Sequence, residues 1–78
     1  MKTQQQIYEV LKAAHKIGSQ VTIKFTDGYK IYIILSAYDN IEIYRGTISF
    51  VRYTDDPYFP DRQYLHNTDN IISISISI

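Results

Sequence analysis

Four aspartates and one histidine between residues 54 and 70 offer oxygen and imidazole groups of the kind that bind metals or transfer protons. They are Asp55, Asp56, Asp61, His66 and Asp69. Their spacing matches neither a calcium-binding loop nor a zinc site, and aspartate before proline is common in turns. Neither His66 nor His15 has a serine or cysteine partner at a recognised motif spacing, and no phosphate-binding glycine loop is present. We therefore expect no metal, no cofactor and no enzymatic activity.

The segment from Asp55 to Tyr64 is a candidate contact surface for a protein partner. Its prolines lower the entropy lost on ordering, and aromatic side chains carry much of the binding energy of protein interfaces. The candidate binding residues are Asp55, Asp56, Tyr58, Phe59, Asp61, Arg62 and Tyr64. The alternative is that Tyr58, Phe59 and Tyr64 fold over one open end of a barrel and form its lid. The sequence leaves both interpretations open.

Tyrosines and basic residues along the predicted strands give a second candidate surface, a stacking platform with phosphate contacts for single-stranded nucleic acid. The residues that would form it are Lys24, Lys30, Tyr32, Arg45 and Arg52. Eight lysines and arginines balance eight aspartates and glutamates, so net charge alone would not hold nucleic acid. Strand aromatics also pack across strands more often than they stack on bases. Nucleic-acid binding is therefore the alternative to protein binding.

A helix at about residues 4–17 is the first element that positions these groups. Its apolar residues recur at spacings of three and four and so share one face: Ile7, Val10, Leu11, Ala14 and Ile17. Thr3 with Gln6 fits a capping box, and Gly18 can adopt the left-handed conformation that ends a helix. We expect the apolar face to pack on a sheet.

From Gln20 onward the pattern has a period of two, which is typical of strands. The predicted elements are a strand at 21–25, a turn at Asp27-Gly28, a second strand at 29–38 and a third at 41–53. The third is either one long bent strand or two short strands divided at Arg45-Gly46. Residues 54–70 are mainly irregular, with a short strand possible at 63–66.

The end of the sequence alternates isoleucine and serine and predicts an amphipathic strand. Ile72, Ile74, Ile76 and Ile78 form an apolar row, and Ser73, Ser75 and Ser77 form a polar row. We expect this strand to pair with the first strand, because an open edge of this composition would invite aggregation. The other interpretation is a homo-oligomer formed through the Ile72 to Ile78 strand.

These elements predict one domain over residues 1–78, with a helix at about 4–17 and a β-barrel at about 20–78. The fold class is mainly β with an N-terminal helix, either a strongly bent five-stranded antiparallel sheet or an SH3-like barrel. Fourteen isoleucines and eight tyrosines favour strands. The sequence has no cysteine and opens with neither a signal-peptide nor a membrane-anchor pattern, so we expect a cytoplasmic protein with no membrane partner.

The run from Val21 to Gly28, followed by Leu35 to Asp39, resembles the opening hairpin of Sm-like domains, which are SH3-type barrels preceded by a helix. The resemblance covers about residues 4–45, and Arg45-Gly46 resembles the Arg-Gly of the second Sm motif. Ile33 stands where the family has a glycine, and the family's Met-Asn pair is absent. The layout is also similar to the Rof family of small inhibitors of the transcription terminator Rho.

A small domain without a catalytic motif is typical of a regulator or inhibitor that occupies the surface of a macromolecular partner, such as those that phages and mobile elements encode. Resemblance to the Rof family implies the same role. We therefore predict a non-catalytic binding module whose partner is a protein. The alternative, implied by the Sm-like resemblance, is a protein that binds single-stranded RNA.

Overall fold

The computed structural model describes residues 3–77, in which one α-helix precedes six strands. The helix is α1 (Gln4–Lys16), and the strands are β1 (Gln20–Phe25), β2 (Lys30–Ile34), β3 (Asn40–Tyr44), β4 (Thr47–Arg52), β5 (Asp61–Tyr64) and β6 (Ile71–Ser77). Short 3-10 helices at Leu35–Ala37 and Thr68–Asn70 precede β3 and β6. The predicted mainly-β fold with an N-terminal helix is confirmed. Ile78, predicted in the last strand, lies outside the described residues.

Helix α1 has the predicted capping box at its start. The Thr3 hydroxyl accepts a hydrogen bond from the Gln6 amide at 3.2 Å, and the Gln6 side chain accepts one from the Thr3 amide at 2.8 Å. The helix ends before Gly18, whose φ of +73° takes the chain out of the helical direction. Ile7, Leu11 and Ala14 are buried, whereas Ile17 lies past the last turn and is exposed.

The strands form two antiparallel sheets of three strands each, in the orders β2-β1-β6 and β3-β4-β5. The predicted single five-stranded sheet is wrong, and in residues 3–77 no strand pairing joins the two sheets into a closed barrel. The chain leaves the extended conformation at Leu35–Ala37 and again between Tyr64 and Ile71. No long bent strand therefore runs through both sheets.

The predicted second strand at 29–38 is too long, because β2 stops at Ile34 and Leu35 turns into the core within a 3-10 helix. The region 41–53 is two strands. Arg45 and Gly46 both have positive φ, +51° and +76°, which gives the two-residue turn that suits a hairpin. The short strand predicted at 63–66 is present but is displaced to β5.

Strand β6 pairs antiparallel with β1, as expected for internal pairing of the terminal strand. Its register shifts between Lys24, which faces Ser73, and Phe25, which faces Ile71. Ile72 is the extra residue of this bulge and is 56% exposed, whereas Ile71 is 9% exposed and belongs to the core. The predicted apolar row is therefore wrong at Ile72, because Ile71 occupies the core position next to Phe25.

A single hydrophobic cluster connects the helix, both sheets and the two segments that link the sheets. It contains Ile7, Leu11, Ala14, Val21, Ile23, Phe25, Leu35, Ile41, Ile48, Phe50, Leu65 and Ile71. Residues 53–60, between β4 and β5, contribute nothing to it. No helix in the described part of the chain has the length and apolar character needed to cross a membrane.

Candidate functional site

The loop at residues 53–60, which we call the aromatic loop, connects β4 to β5 and presents two adjacent aromatic side chains to solvent. Tyr58 is 84% exposed and Phe59 is 74% exposed, and Tyr53 at the start of the loop is also exposed. Rings with this exposure do not cover the core. The geometry therefore does not fit the interpretation of Tyr58 and Phe59 as a lid.

Two side chains of the aromatic loop bind its own backbone and define its shape. The Thr54 hydroxyl accepts a hydrogen bond from the Asp56 amide at 3.2 Å and shares its proton between the carbonyl oxygens of Asp56 and Phe59, at 3.2 and 3.3 Å. The Asp56 carboxylate accepts from the Tyr58 amide at 3.0 Å. The Phe59 amide donates to the Asp56 carbonyl at 3.3 Å. Tyr58 and Phe59 therefore project from a hydrogen-bonded turn.

The base of the aromatic loop is held to the neighbouring strands. Arg52 and Asp61 form an exposed ion pair with 3.4 Å between Nη2 and Oδ2, and they are direct neighbours in the pairing of β4 with β5. The Tyr53 amide donates to the Asp39 carboxylate at 2.7 Å, and the Asp39 amide donates to the Val51 carbonyl at 2.8 Å. Asp61 thus supports the loop, and Arg52 is occupied by Asp61.

The charge beside the two aromatic rings is negative. Asp55 and Asp56 are both exposed, and within residues 3–77 neither forms an ion pair. The described residues also contain no group of three or more metal-binding side chains that could hold an ion. An apolar tip bordered by two carboxylates is complementary to an apolar pocket with a basic rim.

Arg62, a predicted binding residue, belongs to a half-buried cluster on the second sheet. Its Nη1 lies 2.8 Å from Glu42 Oε1 and 3.4 Å from the hydroxyl of the buried Ser49. Its guanidinium also lies 4.7 Å from the centre of the Tyr44 ring. The hydrogen bond with Glu42 raises the pKa of Arg62 above its ordinary value. Arg62 therefore covers Ser49 and stabilises the sheet. Its partner Glu42 is not among the residues predicted from the sequence.

Of the seven residues predicted to bind a protein, four come together in the aromatic loop: Asp55, Asp56, Tyr58 and Phe59. Asp61 and Arg62 make the contacts within the second sheet described above. Tyr64 lies at the opposite end of β5 and lines a separate cleft. The predicted surface thus divides into a loop, a supporting strand and a distant tyrosine.

The residues predicted to bind nucleic acid lie in three places. Lys24 and Lys30 are directly opposite each other in the pairing of β1 with β2, and Tyr32 shares their face of the first sheet. Arg45 lies in the β3–β4 turn, with its guanidinium 5.5 Å from the centre of the Tyr44 ring. Arg52 lies at the base of the aromatic loop. Only the first three residues form a common surface.

A comparison of the chain with family models, curated proteins and solved structures finds no match. The resemblance to Sm-like and SH3-like barrels therefore has no support from these comparisons. What supports a function is the geometry of the described residues, above all the exposed pair of aromatic rings on a hydrogen-bonded turn.

Proposed function

We propose that the protein is a non-catalytic binding module that inserts Tyr58 and Phe59 into the surface of a protein partner. The observation that carries this proposal is the exposure of two adjacent aromatic rings on a turn tied by Thr54 and Asp56. Burial of such rings supplies a large share of the energy of protein interfaces. A turn that is already shaped loses less entropy on binding than a flexible segment does.

The mode of action that fits this surface is regulation or inhibition by occupancy, in which the aromatic loop fills a site that the partner uses for something else. The loop adds nothing to the core, so its sequence is free to match a partner. The exposed carboxylates of Asp55 and Asp56 favour a partner pocket with a basic rim. The cysteine-free chain suits a partner in the reducing cytoplasm.

Site-specific photo-crosslinking tests this proposal. A benzophenone amino acid replaces Tyr58 in one variant and Tyr32 in a matched control, since Tyr32 is an exposed tyrosine on the first sheet. In an extract of the organism that encodes the protein, we expect one dominant crosslinked protein from position 58 and none from position 32. An excess of the protein without the benzophenone amino acid should suppress this crosslink by competing for the partner, and an excess of Tyr58→Ala/Phe59→Ala protein should not. Equal crosslinking from both positions would contradict the proposal.

Binding of single-stranded RNA is the second candidate function, and one observation favours it. Lys24 faces Lys30 across the sheet, and like charges placed directly opposite each other destabilise a strand pair. With Tyr32 on the same face, this pair offers cationic and stacking groups to a nucleic acid strand. Fluorescence anisotropy with a short single-stranded RNA should then show binding that falls steeply with salt and is lost in Lys24→Gln/Lys30→Gln. No binding at low salt would exclude this candidate.

Self-association is a third property that we propose to test. Strand β6 lies at the edge of the first sheet, so its outer side is free among the described residues to accept a strand from a second copy. Ile72 and Ile76 are exposed on this strand and would be buried in such a dimer. Light scattering at high protein concentration should show a dimer mass, and a monomer would exclude this arrangement.

A further inference from the structure

A cleft of about 280 Å³ lies between the β1–β2 hairpin and the segment that joins β5 to β6. Its base is apolar because Phe25 and Leu65 are buried core residues. Tyr29 lines it from the hairpin, and Tyr64 and His66 line it from the other segment. The rings of Tyr64 and His66 lie 6.5 Å apart, so these two form one aromatic wall.

The two segments that form the cleft are fixed to each other. The Thr26 amide of the hairpin donates to the Asn70 carbonyl at 2.8 Å, and the Asn70 amide donates to the Asn67 carbonyl at 2.9 Å. Asn67 has a φ of +59°, a left-handed conformation that asparagine tolerates better than most residues. One backbone hydrogen bond therefore joins the two sides of the cleft, and the other fixes the turn that carries Asn67 and Asn70.

Hydrogen-bonding groups at the cleft are free to meet a ligand. Among residues 3–77, the side-chain amides of Asn67 and Asn70 have no hydrogen-bond partner, and only one oxygen of the Asp27 carboxylate is used, by the Tyr29 amide at 2.9 Å. An amide both donates and accepts, whereas a carboxylate only accepts. The cleft thus offers two groups of mixed character and one dedicated acceptor.

The size and charge of the cleft restrict the ligand class. Its volume is just below the roughly 300–1,000 Å³ of sites for drug-sized molecules, which suits a single ring system. Among residues 3–77 no lysine or arginine lines it, so the described lining provides no counter-charge for a phosphate. Aromatic walls with asparagine and aspartate side chains are the combination that stacks on a nucleobase and hydrogen-bonds its edge.

We propose that this cleft binds a nucleobase that carries an exocyclic amino group. Tyr29 and Tyr64 supply the stacking surfaces, Asn67 and Asn70 bind the polar edge of the ring, and the free oxygen of Asp27 accepts a hydrogen bond from the amino group. Uracil lacks that donor, so cytosine binds better than uracil. The site is independent of the aromatic loop, which lies at the other end of β5.

Titration of the ¹⁵N-labelled protein with cytidine and with uridine, followed by amide NMR shifts, tests the proposal. We expect saturable shifts at Gly28, Tyr29, His66 and Asn67 with cytidine, and binding of uridine that is weaker by about tenfold or more, the effect of one lost hydrogen bond to a charged group. Titration with a short oligocytidine shows whether the natural ligand is a free nucleoside or a base within a single-stranded nucleic acid. Affinity equal to that of cytidine indicates a free nucleoside, and tighter binding at the same residues indicates the base of a single strand.

Three variants complete the test. Tyr29→Ala should weaken cytidine binding about tenfold or more through lost stacking, and Asp27→Asn should abolish the preference for cytidine while keeping the bond to the Tyr29 amide. Tyr53→Ala, which removes an exposed tyrosine outside the cleft, should change neither the affinity for cytidine nor the preference for cytidine over uridine. The absence of saturable shifts at millimolar cytidine, or equal binding of both nucleosides by the unmodified protein, would overturn the proposal without affecting that of the aromatic loop.

Discussion

The hydroxyl of Thr54 lies 3.3 Å from the carbonyl oxygen of Phe59, five residues further along the chain. The same hydroxyl accepts from the Asp56 amide and lies 3.2 Å from the Asp56 carbonyl, so a single side chain closes both ends of the turn. The one hydroxyl proton is shared between two carbonyls, so Thr54 makes three of the contacts that shape the aromatic loop, and the Asp56 carboxylate makes another. The loop is an exposed structure whose order does not come from the core.

Thr54→Val keeps the branched shape of the side chain and removes its hydrogen bonds. We expect faster hydrogen exchange at the Asp56 and Phe59 amides. The free energy of unfolding should fall by no more than about 1 kcal/mol, the net value of an exposed hydrogen bond. Thr26→Val is the matched control, since Thr26 is exposed in another turn and its side chain has no hydrogen bond among residues 3–77. Unchanged exchange in Thr54→Val would show that the loop is ordered by something else.

The bulge in β6 predicts opposite effects for two adjacent isoleucines. Ile71→Ala removes a core side chain and should destabilise the protein by about 2–4 kcal/mol, whereas Ile72→Ala should cost about 0.5 kcal/mol or less because its side chain is exposed. Urea unfolding measures both values. A larger effect at Ile72 than at Ile71 would place the bulge elsewhere and restore the uninterrupted alternation expected from the sequence.

The ion pair between Glu42 and Arg62 predicts non-additive mutations. Glu42→Gln and Arg62→Gln should each destabilise the protein, because each leaves a half-buried charge unpaired over Ser49, and the double variant should lose less than the sum of the two. Chemical denaturation of the four proteins measures the coupling. Strictly additive values would mean that the pair contributes nothing.

The raised pKa of Arg62 also fixes the pH range of its contribution. A group whose pKa is higher in the folded than in the unfolded state stabilises the fold fully below the unfolded pKa and loses this effect as the pH rises through the folded pKa. We therefore expect Arg62→Gln to lower the free energy of unfolding by the same amount at every pH from neutral to mildly alkaline, because Arg62 stays charged throughout this range. Chemical denaturation of both proteins at several pH values measures this difference. A difference that disappeared within that range would contradict the expectation.

The Lys24–Lys30 pair predicts a stabilising mutation. Lys30→Glu replaces a like-charged cross-strand pair by an opposite pair and should stabilise the protein by about 0.2–1 kcal/mol. Lys30→Gln, which removes the repulsion without adding attraction, should gain less. Thermal unfolding at low salt measures both. If Lys30→Glu is no more stable than the unmodified protein, the two lysines do not repel each other, and the argument for an anionic ligand on this face is removed.

Local features of the structure could be predicted from the sequence, because the residues that cause them are neighbours. The capping box of Thr3 with Gln6 depends on contacts within a few positions, and the alternation in β1 follows from side chains that point to opposite faces at successive residues. The bulge could not be predicted, since Ile71 and Ile72 are chemically identical and only the pairing with β1 decides which one is buried. Likewise, an apolar Leu35 fits a longer strand as well as a turn into the core.

In the candidate site, too, features set by neighbouring residues could be predicted, and features set by strand pairing could not. Tyr58 and Phe59 were predicted as contact residues from their type and their proline-rich surroundings, but their exposure depends on where the loop leaves the sheet. Thr54 was missed although its spacing to Asp56 is a local turn signal. The pairing of Arg62 with Glu42 spans twenty residues and follows only from the strand register. Contacts set by register are therefore what sequence reasoning lacked.

The most direct test of the central claim is the affinity of Tyr58→Ala/Phe59→Ala for the partner identified by crosslinking. Loss of two exposed anchor residues should weaken binding at least about 100-fold, while thermal unfolding stays nearly unchanged. Tyr29→Ala/Tyr32→Ala, which removes two exposed rings from the β1–β2 hairpin, should bind the partner normally. Unchanged affinity of Tyr58→Ala/Phe59→Ala, or a large loss of stability in it, would contradict the assignment of the aromatic loop as the binding surface.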